Sequence, residues 1–196
     1  GGAVTTQAID TAAPPPGRPQ AGQAPDPGKD RVPPRSWGSD PHSGGAWGNN
    51  TFQWPVRVYW EDTDAGGIVF YANYLKFFER ARTEWLRQLG LGQQALREQT
   101  GGMFVVSDCA LCYRQSARLD DLLLVTAAPV EIGKASLTIA QSALLKPQQP
   151  GELPTLLCEG SIRIGWVDAA TLRPQRIPPA VLQVLHAGRT APAPSN

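Results

Sequence analysis

Histidine is nearly absent: among 196 residues only His42 and His186 carry an imidazole, one in a Pro/Gly-rich stretch and one near the C-terminus. Ser-His-Asp catalysis, multi-His metal sites and HExxH peptidase chemistry therefore have little to work with. Cysteine is as scarce, with only Cys109, Cys112 and Cys158. An odd, small set without a secretory-type apolar segment at the N-terminus predicts reduced thiols of a cytoplasmic protein, not a disulfide framework. Charge of one sign is also missing. Eighteen Lys+Arg against seventeen Asp+Glu leave a net charge of +1, which excludes nucleic acid as the main partner, since phosphate binding needs a dense basic patch. The longest uncharged apolar run, Leu122 to Val130, is too short to span a bilayer.

What is present divides at about residue 50. Residues 1–50 hold nine of the nineteen prolines and nine of the twenty glycines, and almost no Leu, Ile or Phe. Such a segment cannot bury enough apolar surface to offset its ordering entropy, so it is predicted to be a disordered extension. Its four basic and four acidic residues cancel, so it is no electrostatic arm. A single domain is expected over 51–187, with a frayed tail over 188–196.

Within that domain, Trp54, Val56, Val58 and Trp60 alternate with Pro55, Arg57 and Tyr59, the period of a half-buried strand. Glu61 to Gly67 (EDTDAGG) is a polar, Gly-rich loop. From Tyr71 to Leu89 the period becomes helical: Leu75, Phe78, Arg82, Trp85 and Leu89 share one side, and Phe77, Ala81 and Leu86 widen it. Gly90 and Gly92 stop the helix. Four strand-like runs follow, Met103–Arg114, Leu122–Glu131, Ala135–Leu145 and Leu156–Val167, the middle two joined at Gly133-Lys134. Pro147–Pro154 reads as a loop and Pro178–Leu185 as a short helix. One long helix followed by hairpin-linked strands predicts an α+β domain, an antiparallel sheet packed on a helix.

The chemistry concentrates between Val56 and Arg82. A strand delivers Glu61, Asp62 and Asp64 into a loop, and Gly66 and Gly67 permit close backbone approach. An apolar step, Ile68-Val69-Phe70, leads into a helix whose first N–H groups are unpaired and partly positive. A carboxylate beside oxyanion-stabilising donors is the minimum equipment for acyl transfer. On pattern alone, the same residues also read as an acidic turn capping a helix.

The stretch resembles the hotdog-fold thioesterases of the 4-hydroxybenzoyl-CoA thioesterase family, above all the tol–pal-associated acyl-CoA thioesterases of the YbgC type. The residues that carry the resemblance are Trp54-Pro55-Val56-Arg57-Val58, Glu61-Asp62-Thr63-Asp64-Ala65-Gly66-Gly67, Ala72-Asn73-Tyr74, Phe78-Glu79-Arg80-Ala81-Arg82 and Ala117-Arg118-Leu119-Asp120-Asp121. It spans about Phe52 to Leu182. It implies a hotdog fold, a long central helix wrapped by a curved antiparallel sheet. It also implies a homodimer or homotetramer with active sites at the dimer interface, and an acyl-CoA substrate, with acyl carrier protein as an alternative thiol carrier. No metal or redox cofactor is implied. The family's catalytic carboxylate falls on Asp64, as general base or as nucleophile. By motif position the Tyr71 backbone N–H polarises the thioester carbonyl, and Gly66 and Gly67 shape the loop that admits the acyl group. The YbgC type commonly has His where this chain has Tyr71, whereas the 4-hydroxybenzoyl-CoA type has Tyr. A backbone donor tolerates that exchange; a side-chain role would alter acyl preference.

Other residues stand beside these as candidates. Asn73 either touches substrate or hydrogen-bonds near the helix start. Glu61 and Asp62 read as loop structure. Glu79 and Glu84 are alternative carboxylates, but their i,i+3 spacing to Arg82 and Arg87 reads as surface pairing. Cys109 and Cys112 have CxxC spacing in a strand, with no second pair for zinc. Tyr113, Arg114 and Arg118 are candidate CoA contacts, and Glu98 a candidate for the cleft. A hotdog dehydratase would need a His near the helix, and none lies between residues 43 and 185. A non-catalytic acyl-CoA or acyl-carrier-protein binding protein would keep the fold and dispense with Asp64.

Overall fold

The computed structural model describes residues 51–190. The expected disordered extension, residues 1–50, lies outside them, as do residues 191–196. The elements run β1 (Phe52–Arg57), a 3-10 turn (Trp60–Asp62), α1 (Asn73–Gln88), α2 (Gln93–Thr100), β2 (Gly102–Tyr113), β3 (Leu122–Ile132), β4 (Ser136–Leu145), β5 (Thr155–Asp168) and α3 (Pro179–Thr190). The five strands form one antiparallel sheet in the order β1-β3-β4-β5-β2. Register shifts at Val106/Asp108, Pro129/Glu131 and Ala143/Leu144 mark irregularities that bend strands and increase twist. The sheet curves around α1, the hotdog arrangement that the resemblance implied.

Helix α1 buries Tyr74, Phe77, Phe78, Ala81, Trp85 and Leu86 against inward residues of the sheet such as Leu123, Val125, Ile139 and Ile162. These positions recur at three and four residues, so a single stripe faces the sheet. The stripe is rotated from the expected one. Leu75 is 41% exposed, because Tyr74 takes the inward position at the first turn. Arg82 is buried, as its place in the stripe required, and it therefore does not pair with Glu79. Its Nη1 donates to Gln141 Oε1 at 3.0 Å, and Gln141 Nε2 donates to the Phe78 and Thr126 carbonyls. Burial pulls the Arg82 guanidinium below its ordinary pKa.

Three further differences have local causes. The alternation in β1 holds only for Val56 and Val58. Trp54 and Trp60 are exposed, Trp60 because the chain leaves the sheet and turns through the 3-10 segment. Helix α2 was not expected. It is a short amphipathic piece that buries only Leu96, with Gly92 before it and Gly101 in the left-handed region after it. Helix α3 continues through Thr190 where a frayed tail was expected from 188; Val181 and Leu185 anchor it to the core.

Candidate active site

The segment between β1 and α1 is held by backbone and side-chain hydrogen bonds. Val58 extends past β1 by exchanging bonds with Asp120 and Asp121. The 3-10 turn closes on itself: the Asp62 carboxylate, 2% exposed, accepts the Tyr59 N–H at 2.8 Å. Thr63 then bridges Val69, and Asp64 N–H donates to the Ile68 carbonyl at 2.9 Å. Gly67 N–H returns to the Asp64 carbonyl at 3.0 Å, so residues 64–67 form one tight turn. Gly67 sits at φ 74, in the left-handed region where a side chain is disfavoured. Gly66 N–H donates to Asp64 Oδ1 at 2.8 Å and fixes the carboxylate's direction.

The segment after the turn is pinned from two sides. Ile68 bridges Arg118, Val69 N–H donates to the Ala117 carbonyl, and Phe70 N–H donates to the Asp62 carbonyl. Asn73 Nδ2 donates to that same Asp62 carbonyl at 2.7 Å, tying the start of α1 to the 3-10 turn. Asp62 and Asn73 are thus committed to architecture, and neither lines the cleft.

That cleft has a volume of about 350 Å³ and is lined by Asp64, residues 68–71, Tyr74 and residues 113–116. Asp64 and Tyr71 share it. Gly66, Gly67 and Glu61 are exposed and are not among its lining residues. The Tyr71 N–H donates to no group among the described residues, consistent with its place just ahead of the first helical turn. Three tyrosines wall the cleft. Tyr113 packs edge-on against Tyr71 and Tyr74, with ring centroids 6.2 and 5.6 Å apart. The Tyr74 hydroxyl accepts the Ala117 N–H at 3.0 Å, and the Tyr113 hydroxyl donates to the Tyr71 carbonyl at 3.0 Å. Burial pushes both phenols above their ordinary pKa, so both stay protonated at neutral pH.

The remaining candidates separate cleanly. Arg114 lines the cleft, but its guanidinium is paired with Glu159 at 2.7 Å, and that hydrogen bond holds its pKa above the ordinary value. Glu84 pairs with Arg87, while Glu79 accepts from Thr83 Oγ1. Glu98 accepts from Gln94 on α2 and stays away from the cleft. His186 is exposed on α3. All three cysteines are free, and burial pushes the Cys158 thiol up to about 12, which leaves it inert at neutral pH. Among the described residues no cluster of ligating side chains fit for a metal occurs. Sequence reasoning passed over Tyr74 as a cleft residue. Its signal was a tyrosine in the motif Ala72-Asn73-Tyr74, at an inward helical position.

Comparison with known proteins adds to this geometry. The family model described as thioesterase-like superfamily matches residues 58–185. The acyl-CoA thioesterase YbgC of Haemophilus influenzae is 40% identical over 138 residues, 70% of this chain and 96% of that protein. The acyl-CoA thioester hydrolase YbgC of Escherichia coli O6:H1 is 39% identical over 131 residues, 67% of this chain and 92% of that protein. Among solved structures, a probable thioesterase from Bartonella henselae superposes with a TM-score of 0.58 at 29% identity, covering 65% of this chain and 99% of that one. A variant of 4-hydroxybenzoyl-CoA thioesterase complexed with 4-hydroxybenzoyl-CoA superposes with a TM-score of 0.63 at 19% identity, covering 69% and 99%, which supports the fold alone.

Proposed function

The chain belongs to the thioesterase-like superfamily, and from that premise we propose that it is an acyl-CoA thioesterase that releases free CoA and a carboxylate, with Asp64 as its catalytic carboxylate. The observation that carries the assignment is the shared cleft: Asp64 and Tyr71 line one cavity, and the Tyr71 N–H has no acceptor among the described residues. Relatives at 39–40% identity named as acyl-CoA thioesterases support the reaction class.

As general base, Asp64 takes a proton from water while the oxygen adds to the thioester carbon. As nucleophile, its oxygen adds to that carbon and a mixed anhydride forms, which water then hydrolyses. In both routes negative charge develops on the carbonyl oxygen, and the Tyr71 N–H at the positive end of α1 stabilises it. Collapse expels CoA as the thiolate, which is protonated to the thiol. Gly66 and Gly67 serve by holding the loop, and Asn73 by fixing the helix start.

The same reading makes the protein cytoplasmic and a homodimer or homotetramer, acting on acyl-CoA or on an acyl carrier protein thioester, in association with the tol–pal envelope system. No helix among the described residues is long and apolar enough to cross a membrane.

Thiol release from short aliphatic, long aliphatic and benzoyl-type CoA esters, by wild type and Asp64→Asn in parallel, tests the assignment. The amide keeps the size and removes the base or nucleophile, so kcat is expected to fall by about 10²–10⁴-fold. Unchanged turnover in Asp64→Asn moves the catalytic carboxylate elsewhere. Ligand binding without turnover on any ester replaces the enzyme with an acyl-binding protein.

A further inference from the structure

We propose that Tyr113 is a positioning residue for the oxyanion donor, acting through its hydrogen bond to the Tyr71 carbonyl; this rests on the reading of the Tyr71 N–H as that donor. Three consecutive peptide units approach the cleft here. The first is pinned by Phe70 N–H on the Asp62 carbonyl at 3.0 Å. The second, which contains the Tyr71 N–H itself, is pinned by Asn73 N–H on the Phe70 carbonyl at 2.8 Å. The third is pinned from across the cleft by Tyr113 Oη on the Tyr71 carbonyl at 3.0 Å.

The helix start explains why a side chain is needed there. Asn73 N–H reaches back three residues to Phe70, and Leu75 N–H reaches back three residues to Ala72 at 3.1 Å. Both bonds pass over the Tyr71 carbonyl, which the tightened turn leaves facing Tyr113. A carbonyl accepts only, so the phenol must donate. Desolvation holds the Tyr113 phenol above its ordinary pKa, and the donor therefore persists through neutral and mildly alkaline pH. With the Phe70 and Tyr71 carbonyls both held, the peptide units on either side of the Tyr71 Cα are restrained, and the Tyr71 N–H between them keeps one direction. The restraint comes from the end of β2, whose Tyr113 is anchored in register opposite the buried Cys158. Strand β2 and the entry of α1 thus act together on one backbone donor.

Tyr113→Phe isolates the hydroxyl, because the ring contacts with Tyr71 and Tyr74 survive. Misplacing a catalytic group by an ångström costs up to about 100-fold, and a donor that is still half-restrained is expected to lose about tenfold in kcat. KM on the best-hydrolysed CoA ester should stay within about twofold, since an interaction made in the transition state is lost, not uniform binding. The thermal midpoint should not move. An unchanged kcat, or a raised KM with kcat intact, overturns the proposal and makes Tyr113 a plain cleft wall. A second readout is independent of turnover: in ¹⁵N-labelled protein the Tyr71 and Ala72 amide resonances must shift in Tyr113→Phe while those of α3 stay. If they stay in place, the proposal fails whatever the activity. If they shift but wild type turns over no ester, the positioning contact stands as geometry, the thioesterase reading falls, and with it the catalytic meaning assigned to Tyr113.

Discussion

Asp64 keeps its direction through a contact that only a small neighbour allows. A Cβ placed on Gly66 would stand 3.1 Å from Asp64 Oδ1, tighter than ordinary contact, on the same oxygen that accepts the Gly66 N–H. Gly66→Ala must therefore push the carboxylate away or stretch that hydrogen bond. The backbone there is otherwise permissive, so stability is expected to stay within about 0.5 kcal/mol while kcat falls about tenfold. Gly67→Ala is the converse. A Cβ there meets open space, but φ is 74, and forcing alanine into the left-handed region costs roughly 1–2 kcal/mol. Urea unfolding together with steady-state kinetics separates the two variants: loss of activity without loss of stability at Gly66, loss of stability first at Gly67. Equal behaviour of both would mean that the turn acts as a unit and the Asp64 contact has no separate role. These residues are legible in sequence because Asp64, Gly66, Gly67 and Tyr71 lie within eight positions, where a local motif can nominate them. Tyr113 was visible only as a possible CoA contact. Its bond to the Tyr71 carbonyl spans 42 residues, and nothing in the spacing of either tyrosine encodes it.

At the scale of elements, α1 is held to the sheet by more than apolar packing. Gln141 on β4 reaches into the interface, accepts from Arg82 and donates to the Phe78 and Thr126 carbonyls, and Ser142 N–H donates to Thr126 Oγ1 beside it. No buried side-chain polar atom among the described residues lacks a partner. Such a network gains little over an apolar core when complete but costs heavily when one member is removed. Gln141→Leu leaves a buried guanidinium without its acceptor and is expected to cost about 2–4 kcal/mol in urea unfolding. The double variant Arg82→Leu/Gln141→Leu should cost less than the sum of the two singles, because the stranded charge is gone. Additive losses would mean that the two side chains contribute independently. Helical periodicity foretold that Arg82 points inward, and an arginine in an apolar stripe demands a polar partner. It did not say which partner, since Gln141 reads as an ordinary residue of a strand run. The four later strands, by contrast, lie within a residue of their expected bounds at every end, because β-branched runs bounded by Gly and Pro carry a strong local signal. Helix α2 escaped because its eight residues bury a single leucine, too little periodicity to see.

Among the described residues the sheet has two edge strands, β1 and β2, and β2 carries exposed apolar side chains such as Val106 and Tyr113. Residues directly opposite in an antiparallel pair share a face, so the pairing of Val106 with Ile164, Cys109 with Ile162 and Tyr113 with Cys158 turns all three towards the helix side of the sheet. Their β5 partners are buried in the core, yet Val106 is 51% exposed, and Cys109 and Tyr113 are exposed as well. The core face therefore continues from β5 onto β2, where it is no longer covered by the described residues. A long, unpaired strand with an uncovered apolar face invites a second strand, and a second copy of this chain brings an identical edge and face to complete it. Tyr113, at the end of that strand, lines the cleft, so the homodimer proposed above would, if paired through β2, set its seam beside the site. Val106→Asp tests the arrangement without touching the cleft. In an isolated chain the substitution is tolerated, because the position is half in water; across a buried twofold it places two like charges in an apolar contact. Light scattering on wild type should give at least twice the 21.1 kDa of the chain, and Val106→Asp should shift the mass towards one chain while the circular dichroism spectrum stays native. A wild type that is monomeric at micromolar concentration would refute the assembly. A Val106→Asp protein that remains fully oligomeric would place the interface elsewhere, leaving β2 as an edge that this fold protects by its bulge at Val106/Asp108 instead of by a partner.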